Sequence, residues 1–285
     1  MGRKKHSIQK EIFSFLILFA FSSNLSSDIE DKIALHKEQF SEVALKIWEY
    51  AELGYQETKS SNLLASELKK EGFKITKGVA GIPTAFIAEF GSSGPVIGIL
   101  GEFDALPGLA QTNSPFKEVA VNDSGGGHAC GHHLFGAASA WAAVSIKEWL
   151  DENDVEGTVR FYGTPAEEGG SGKVYMVREG LFDDVDVVLH WHPDDVNSAN
   201  PKTSNSNKSA KFTFKGISAH AAGSPELGRS ALDGVEAMNM MVNMMREHIP
   251  QESRMHYVIT KGGLAPNVVP DLAEVYYYVR HPEMK

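Results

Sequence analysis

The stretch "PVIGILGEFDALPG" (residues 95–108) runs from an apolar, strand-like half into a polar half that carries two carboxylates. The runs "TAFIAEF" (84–90), "TVRFYGT" (158–164) and "VDVVLHW" (185–191) are rich in β-branched and aromatic residues, which favour strands. Helix-like segments alternate with them, most clearly the Ala-rich "LFGAASAWAAVSIKEWL" (134–150). This alternation predicts an α/β domain, a sheet with helices on its faces.

Two further helices are predicted ahead of these strands. Asp28 is a suitable cap for the first, whose apolar positions recur every three or four residues as far as Trp48, and the second runs from about Glu57 to Gly72. After His192 a polar stretch without apolar periodicity indicates a domain boundary. The second unit is predicted to contain strand 210–216, helix 225–248, strand 255–262 and strand 273–279. The predicted organisation is an N-terminal segment at residues 1–27, a first unit at residues 28–198 and a second unit at residues 208–285.

Composition excludes several classes of protein. The 37 acidic and 27 basic side chains give a formal net charge of −10, which would repel a phosphate backbone, so no nucleic-acid partner is expected. With 285 residues, of which 42% are hydrophobic, the chain is long enough to bury a sizeable core. The single cysteine, Cys130, forms no internal disulfide and is left as core filler, a reactive thiol or a metal ligand.

The N-terminal segment has the pattern of an export signal. Basic residues precede the apolar run "IFSFLILFAF" (12–21), which is much shorter than the roughly 20 residues that a membrane-spanning helix needs. The pattern predicts a secreted or periplasmic protein. The following "SSNLSSD" offers no clear small-x-small cleavage pair, so an uncleaved membrane anchor is the alternative, and a cytoplasmic location is disfavoured.

Groups that bind metals are concentrated where predicted strands end, which is where open α/β sheets place their sites. The four stretches concerned are residues 101–108, 127–133, 165–170 and 189–193. Together they offer thiolate, imidazole and carboxylate, the ligands of zinc, manganese or cobalt. Cys130 and His132 are one residue apart, so an extended loop can direct both at one site. The helix predicted after them would direct its positive end at Cys130 and favour the thiolate.

Each of these residues, taken alone, has a plainer interpretation. A lone cysteine at an Ala/Gly-rich helix start more often packs in a core, and Glu167 with Glu168 would ordinarily form a solvated turn. The glutamate pair lies between a strand with a proline and two glycines, however, which is typical of a site loop. His190 ends an apolar strand, where a buried ring needs a partner. The coincidence of all four stretches favours a metal site.

Six motifs, in order, carry a family resemblance. They are "GEFDALPG", "GHACGHH", "GTVRFYGTPAEEGGSGK", "VVLHWHP", "GISAHAA" and "APNVVPD" with "YYYVRHP". These motifs resemble the amidohydrolase and carboxypeptidase family that includes carboxypeptidase G, hippurate hydrolase and the plant indoleacetyl-amino-acid hydrolases. The resemblance implies a zinc-exopeptidase-like fold, in which a three-layer α/β metallopeptidase domain with a mixed sheet carries an α+β lid that makes the dimer contact.

The resemblance also implies roles for individual residues of the first unit. Two divalent metal ions per subunit, Mn²⁺ or Zn²⁺, are implied. Their implied ligands are Cys130, which would bridge the two ions, His132, Glu168 and His190. Glu167 would act as general base, and Asp104 would support the site from behind the ligands. Glu102 is given no role, and His128, His133 and His192 are interpreted as supporting neighbours.

In the second unit, the resemblance implies that His220 reaches the partner subunit's site and stabilises the oxyanion, while Asn267 and Arg280 hold the substrate carboxylate. Without the family, His220 is equally a turn residue and Arg280 a strand-edge charge. The implied reaction is metal-dependent hydrolysis of the amide bond in N-acyl or aroyl amino acids such as p-aminobenzoyl-glutamate. The implied assembly is a homodimer through the lid, or a hetero-oligomer with a related subunit.

Alternatives to this function stay open at the level of sequence. A dipeptidase would use the same groups, whereas a non-catalytic metal- or peptide-binding module would have no need of Glu167. A zinc deaminase would require a "PCxxC" motif, which the chain lacks. Relatives are expected to continue past the lid with the rest of the catalytic domain and a final histidine ligand. The 285-residue chain is therefore expected to behave as a fragment that binds metal weakly when expressed alone.

Overall fold

The computed structural model describes residues 30–121, 124–199 and 203–283. The chain divides into two compact units, Met1–Val196 and Asn197–Lys285. The predicted export signal lies outside the described residues. Within the described ranges, every helix is too short or too polar to cross a membrane.

The first unit is built on a five-stranded mixed sheet with strand order β1-β2-β6-β3-β7. The strands of this unit are β1 (Lys74–Lys77), β2 (Phe86–Phe90), β3 (Val96–Gly101), β4 (Leu106–Pro107), β5 (Gly126–Gly127), β6 (Thr158–Gly163) and β7 (Val187–Leu189). β3 pairs parallel with β6 and β7, whereas β2 pairs antiparallel with β1 and β6. β4 and β5 form a separate ladder within the long loop after β3. The carboxyl ends of β3, β6 and β7 therefore meet at one edge of the sheet.

Successive side chains of a strand face opposite sides of a sheet. Apolar side chains lie on both faces of this sheet, and helices cover both faces. The helices are α1 (Lys37–Tyr50), α2 (Thr58–Lys70), α3 (His132–Asn153) and α4 (Gly172–Arg178). Ile99 and Phe161 share a core with α1, α2 and α3. The next residue of each strand, Leu100 or Tyr162, packs with Met176 of α4 on the other face. The first unit therefore has three layers, and the α/β fold inferred from the sequence is confirmed.

Helix α3 crosses the end of β3 at a point where neither element has room for a side chain. A Cβ added to Gly136 of α3 would lie 2.6 Å from the backbone oxygen of Glu102, which follows β3 directly. A Cβ at Gly101, the last residue of β3, would lie 2.5 Å from the ring of Phe161 and 3.4 Å from the Cα of Gly136. The two glycines thus bring the start of α3 against the loop that carries Glu102.

Replacing Gly136 by Ala is expected to destabilise the first unit. Overpacking costs about 1–3 kcal/mol, and the clash is with backbone, so it outweighs the helix-propensity gain of up to about 1 kcal/mol. Chemical denaturation measures the loss. Gly157→Ala is the matched control, because its Cβ would meet only the Leu150 side chain at 3.4 Å. Equal unfolding free energies for the two variants would contradict the close approach.

The second unit is a three-stranded antiparallel sheet with one helix. Its strands are β8 (Ser206–Lys215), β9 (Arg254–Lys261) and β10 (Leu272–His281), in the order β8-β10-β9. Helix α5 (Ala231–Met245) buries Ala231 and Val235 against Ala273, Val275 and Tyr277 of β10. The architecture of this unit is α+β.

Two of the predicted helices differ from the helices of the structure. The helix expected at residues 225–248 is three elements, because residues 225–227 and 246–248 are 3₁₀ turns on either side of α5. α5 begins after Ser230, whose hydroxyl accepts a hydrogen bond from the Asp233 amide at 3.1 Å and so caps the helix. The first predicted helix is interrupted at His36, a turn residue between the helical residues 30–35 and α1.

Candidate metal centre

His132, the first residue of α3, is the centre of the candidate site and is fully buried. Its Nδ1 lies 3.0 Å from Asp104 Oδ1 and 3.1 Å from the Asp104 backbone oxygen. Its Nε2 lies 3.0 Å from Glu102 Oε2, but the two atoms are not aligned for a hydrogen bond and have no other partner. Burial alone would lower the pKa of His132, yet its contacts with Asp104 and Glu102 outweigh burial and raise the pKa to about 10.

Asp104 fixes the orientation of the His132 ring. A carboxylate that accepts from Nδ1–H leaves Nε2 as the ring atom that faces the site, which is the arrangement found behind metal-binding histidines. The other oxygen of Asp104 accepts a hydrogen bond from the Glu168 amide at 2.8 Å. One carboxylate therefore contacts two of the residues predicted as ligands, His132 and Glu168.

Glu167 and Glu168 lie in a turn after β6, and the two side chains have different surroundings. Glu167 is exposed, whereas Glu168 is half-buried and its Oε1 is buried without a hydrogen-bond partner. Burial raises the pKa of Glu168 above its usual value. Ligand atoms of Glu102, His132 and Glu167 all lie within 4.8 Å of one another.

Cys130 is in contact with a second histidine of the site. Its Sγ is 3.4 Å from His192 Nε2, and atoms of Cys130, His132 and His192 lie within 4.8 Å of one another. Burial raises the pKa of the Cys130 thiol to about 12, and the neighbouring carboxylate of Glu168 adds to this, so the expected thiolate is not favoured.

Glu102 is the residue that the sequence interpretation missed. Its side chain is only 2% exposed, and its Oε1 contacts Lys173 Nζ and lies 3.6 Å from His190 Nε2. Burial raises the pKa of Glu102, but its contacts with His132, His190 and Lys173 outweigh burial and hold the pKa well below its usual range. The available signal was its place at the end of β3, two residues before Asp104 and hence on the same side of the chain.

The other histidines of the two histidine-containing motifs have different surroundings. His190 is exposed, and its ring contacts Glu102 rather than Cys130. The histidine next to Cys130 is His192. His128 is buried and contacts the Ile47 backbone oxygen at 3.0 Å, with the His133 ring 5.1 Å away. Burial lowers the pKa of both His128 and His133 to about 4, so they are neutral packing groups near neutral pH.

The donor set fits divalent metal ions. Three buried atoms, His132 Nε2, Glu102 Oε2 and Glu168 Oε1, have no hydrogen-bond partner, although buried polar atoms are normally satisfied. Sulfur, imidazole nitrogen and carboxylate oxygen are the ligands of zinc and manganese. Cations at this point would also offset the mutual repulsion of the clustered carboxylates.

In the second unit, His220 and Asn267 lie on neighbouring backbone segments, since the Ala221 amide donates to the Asn267 oxygen at 3.0 Å. His220 Nδ1 accepts hydrogen bonds from the amides of Ala222 and Gly223 at 3.2 and 3.0 Å. A neutral ring then carries its proton on Nε2, on an exposed side chain. Arg280 lies at the opposite end of β10 from Leu272, about 26 Å along the strand at about 3.3 Å per residue.

The chain is similar in sequence to proteins of known activity. The chain is 48% identical over 257 residues to a subunit of the p-aminobenzoyl-glutamate hydrolase of Escherichia coli K12, covering 90% of this chain and 53% of that protein. It is 31% identical to a mouse Xaa-Arg dipeptidase, covering 87% of this chain and 56% of that protein. The chain thus spans about half the length of the curated relatives it matches.

A solved structure has the same fold. It is a dinuclear metal binding peptidase from Bacillus subtilis, 25% identical, with a TM-score of 0.60 over 88% of this chain and 65% of that chain. Residues 98–273, which contain the candidate site from Glu102 to His192 as well as the motifs "GISAHAA" and "APNVVPD", match the model of peptidase family M20/M25/M40. The resemblance of the six motifs is thereby confirmed, and the chain belongs to peptidase family M20/M25/M40.

Proposed function

We propose that the protein is a metal-dependent amidohydrolase that cleaves the amide bond of N-acyl or aroyl amino acids such as p-aminobenzoyl-glutamate. The observation that carries the proposal is the exposed carboxylate of Glu167 beside the unpartnered, buried Nε2 of His132. A binding module has no use for a free carboxylate at that position. The relative that is 48% identical is named for hydrolysis of p-aminobenzoyl-glutamate, which supports this substrate class.

The proposed ligands of two divalent ions, Mn²⁺ or Zn²⁺, are Cys130, His132, Glu168 and His190. The dinuclear metal binding peptidase with the same fold supports the number of ions. When bound, such ions polarise a carbonyl and lower the pKa of a water toward neutrality. His132 Nε2 and Glu168 Oε1 are buried without a hydrogen-bond partner, and a bound cation would satisfy both atoms. One carboxylate oxygen of Glu102 contacts the Lys173 ammonium group, and the other faces His132. Glu102 therefore contributes negative charge to the site.

The chain's own groups divide the remaining work. Glu167 takes the proton of the attacking water and passes it to the leaving amine, and it is free for this because it is exposed beside the ligands. Asp104 keeps His132 and the Glu168 backbone in place. His220 is preset as a donor, because its Nδ1 accepts two backbone amides and its Nε2–H points outward to meet a developing oxyanion.

We propose a homodimer through the lid, or a hetero-oligomer with a related subunit. Asn267 and Arg280 are the proposed carboxylate-binding residues. Arg280 is a residue of β10, whereas Asn267 lies five residues before that strand begins. The 48% identical relative is one subunit of a hydrolase, which supports the hetero-oligomeric alternative.

Mixing two inactive variants is expected to restore activity if His220 acts across a dimer. In hybrids of a Glu167→Gln chain and a His220→Ala chain, one of the two sites has both residues intact. Random exchange of equal amounts should therefore give about a quarter of the wild-type activity. Subunit exchange is verified by mass spectrometry. An inactive mixture with exchange confirmed would place His220 in its own chain's site or outside catalysis.

The test of the proposed function is metal analysis of the full protein, coupled to hydrolysis of a panel of substrates. The panel contains p-aminobenzoyl-glutamate, hippurate, an N-acetyl amino acid and an Xaa-Arg dipeptide, the last because of the 31% identical dipeptidase. Metal-dependent release of glutamate from the aroyl substrate supports the proposal. Preference for the dipeptide would make the protein a dipeptidase, and bound metal without any hydrolysis would make it a binding module.

The proposed location is outside the cytoplasm, and it rests on the apolar run at residues 12–21 after basic residues. N-terminal sequencing of the protein from the periplasm or medium tests it. A mature chain that begins after this run supports export and cleavage. An intact N-terminus in the membrane fraction would favour the anchor, and one in the cytoplasm would exclude export.

A further inference from the structure

The turn that presents Glu167 and Glu168 rests on a buried carboxylate from another part of the fold. Glu57, immediately before α2, is 0% exposed, and its Oε1 accepts a hydrogen bond from the Ala166 amide at 2.8 Å. Its other oxygen accepts from the Thr84 hydroxyl at 3.0 Å. Ala166 is also fully buried and is the residue directly before Glu167. Neither partner of the Glu57 carboxylate carries a charge.

The backbone at Ala166 needs such support. Ala166 has φ +55°, a left-handed conformation that is unfavourable for a residue with a Cβ, and Ser171 at the far end of the turn has φ +57°. Strained conformations of this kind persist where surrounding contacts determine them, and they cluster at functional sites. Without Glu57, the Ala166 amide would be a buried donor with no acceptor.

Contacts hold the turn at three points along its length. Glu57 holds the Ala166 amide at its start, and Asp104 holds the Glu168 amide at its middle. The Tyr55 hydroxyl donates to the Gly170 oxygen at 2.5 Å at its end. Two of the three contacts come from the segment between α1 and α2, residues 51–57, which contains none of the residues predicted from the metal-site motifs.

We propose that Glu57 is a positioning residue for the proposed hydrolase, which fixes the Ala166 peptide and through it the carboxylates of Glu167 and Glu168. The proposal rests on the proposed function for the role of Glu167, but its effect on Glu168 concerns metal binding alone. Burial raises the pKa of Glu57 and the charge of Asp104 adds to this, while the Ala166 amide and the Thr84 hydroxyl oppose it. The geometry thus ties this buried carboxylate to the one peptide that precedes Glu167.

The test compares Glu57→Ala with Glu57→Gln in the full protein. Gln keeps an oxygen for the Ala166 amide, whereas Ala removes it. Mn²⁺ affinity by calorimetry is expected to fall about 10–100-fold in Glu57→Ala, the range for groups that orient metal ligands, and to stay within a few-fold of wild type in Glu57→Gln. With saturating Mn²⁺, kcat for p-aminobenzoyl-glutamate should fall in the Ala variant more than KM changes.

Glu52→Ala is the matched control in the same segment. The Glu52 carboxylate accepts from the amides of Lys59 and Ser60 at 3.0 and 2.9 Å and so stabilises the start of α2 without touching Ala166. This variant should lower the melting temperature but keep the wild-type Mn²⁺ affinity. If Glu52→Ala loses as much affinity as Glu57→Ala, the effect is one of stability and the proposal is overturned.

A milder variant covers the case in which Glu57→Ala does not fold. Tyr55→Phe removes the hydroxyl that holds Gly170 from a partly exposed side chain, and it should reduce Mn²⁺ affinity in the same direction by a smaller factor. Unchanged affinity in Tyr55→Phe, with Glu57→Ala unfolded, would overturn the proposal. If the wild-type protein hydrolyses no member of the panel but the variants show this ranking of Mn²⁺ affinities, the proposed substrate class is rejected. The positioning role of Glu57 is then retained.

Discussion

Replacing Glu167 by Gln is expected to lower kcat for an aroyl-glutamate by about 10²–10⁴-fold, the contribution of a general base, while bound metal is retained. Gln has the size of Glu and keeps an acceptor oxygen, but it takes up no proton near neutral pH. Glu167 is exposed, and Asp104 holds the neighbouring amide in either case, so the turn should keep its shape. Steady-state kinetics with metal content measured on the same sample provide the test.

Glu168→Gln is the matched control, since it makes the same chemical change one residue along the chain. Its Oε1 is buried without a partner and is proposed to bind metal, so this variant should lose metal as well as activity. Metal loss of the same size in both variants would show that the roles of base and ligand are not divided in this way. Metal retention in both would leave Glu168 outside the ligand set.

Replacing Cys130 by Ser is expected to lower metal affinity by more than the about 10–100-fold that accompanies changes behind the ligands, because a neutral hydroxyl is a far poorer ligand than a thiolate. The variant should also change how affinity depends on pH. With a pKa of about 12, the free thiol is protonated near neutral pH, and a metal ion must displace that proton. Affinity through Cys130 should therefore rise by up to about tenfold per pH unit.

Titrations with Mn²⁺ at several pH values separate this effect from general damage to the site. The serine variant should release one proton fewer per metal site than the wild type and show a correspondingly shallower pH dependence. His192→Gln is a suitable comparison, since it alters the neighbour of Cys130 at 3.4 Å without removing the sulfur. Equal proton release in the wild type and the serine variant would return Cys130 to a packing role.

The sequence located the loops of the site because the signals there are local. Three strands of the sheet, β3, β6 and β7, are visible as β-branched and aromatic runs, and a parallel arrangement brings their ends together whatever the details of packing. Of the predicted ligands, Cys130 and His132 offer atoms within 4.8 Å of each other, and Asp104 contacts both the His132 ring and the Glu168 amide, whereas His190 contacts Glu102 instead. Whether they bind metal, and with which geometry, stays a prediction.

What the sequence did not reveal depends on groups that are distant along the chain. The contacts of Glu102 are with Lys173 and His190, which follow β6 and β7 in the chain. These two residues come close to Glu102 only when both strands have joined the sheet. The high pKa of Cys130 follows from its burial and from the carboxylates around it, which the local sequence does not show. Strand β1 is short and largely exposed, so it has no apolar pattern to detect.

The early start predicted for α5 has a local cause of a different kind. Pro225 is a favourable first helical residue, but Gly228 three residues later adopts an extended conformation with ψ 165° and ends the turn. Ser230 then supplies the cap that begins the actual helix. Two competing start signals lie within six residues, and only the packing of Ala231 and Val235 on β10 decides between them.

The parallel pairing of β6, β3 and β7 also has a consequence for the order of folding events. The site groups between Glu102 and His192 come from separate loops, and they meet only when these non-local strands have paired. Pairings of this kind close large loops and form late. A bound ion would therefore contribute little in the folding transition state and much in the native state. Bound metal should therefore mainly lower the unfolding rate. Removing it with a chelator should shorten the lifetime of the folded protein far more than it slows refolding.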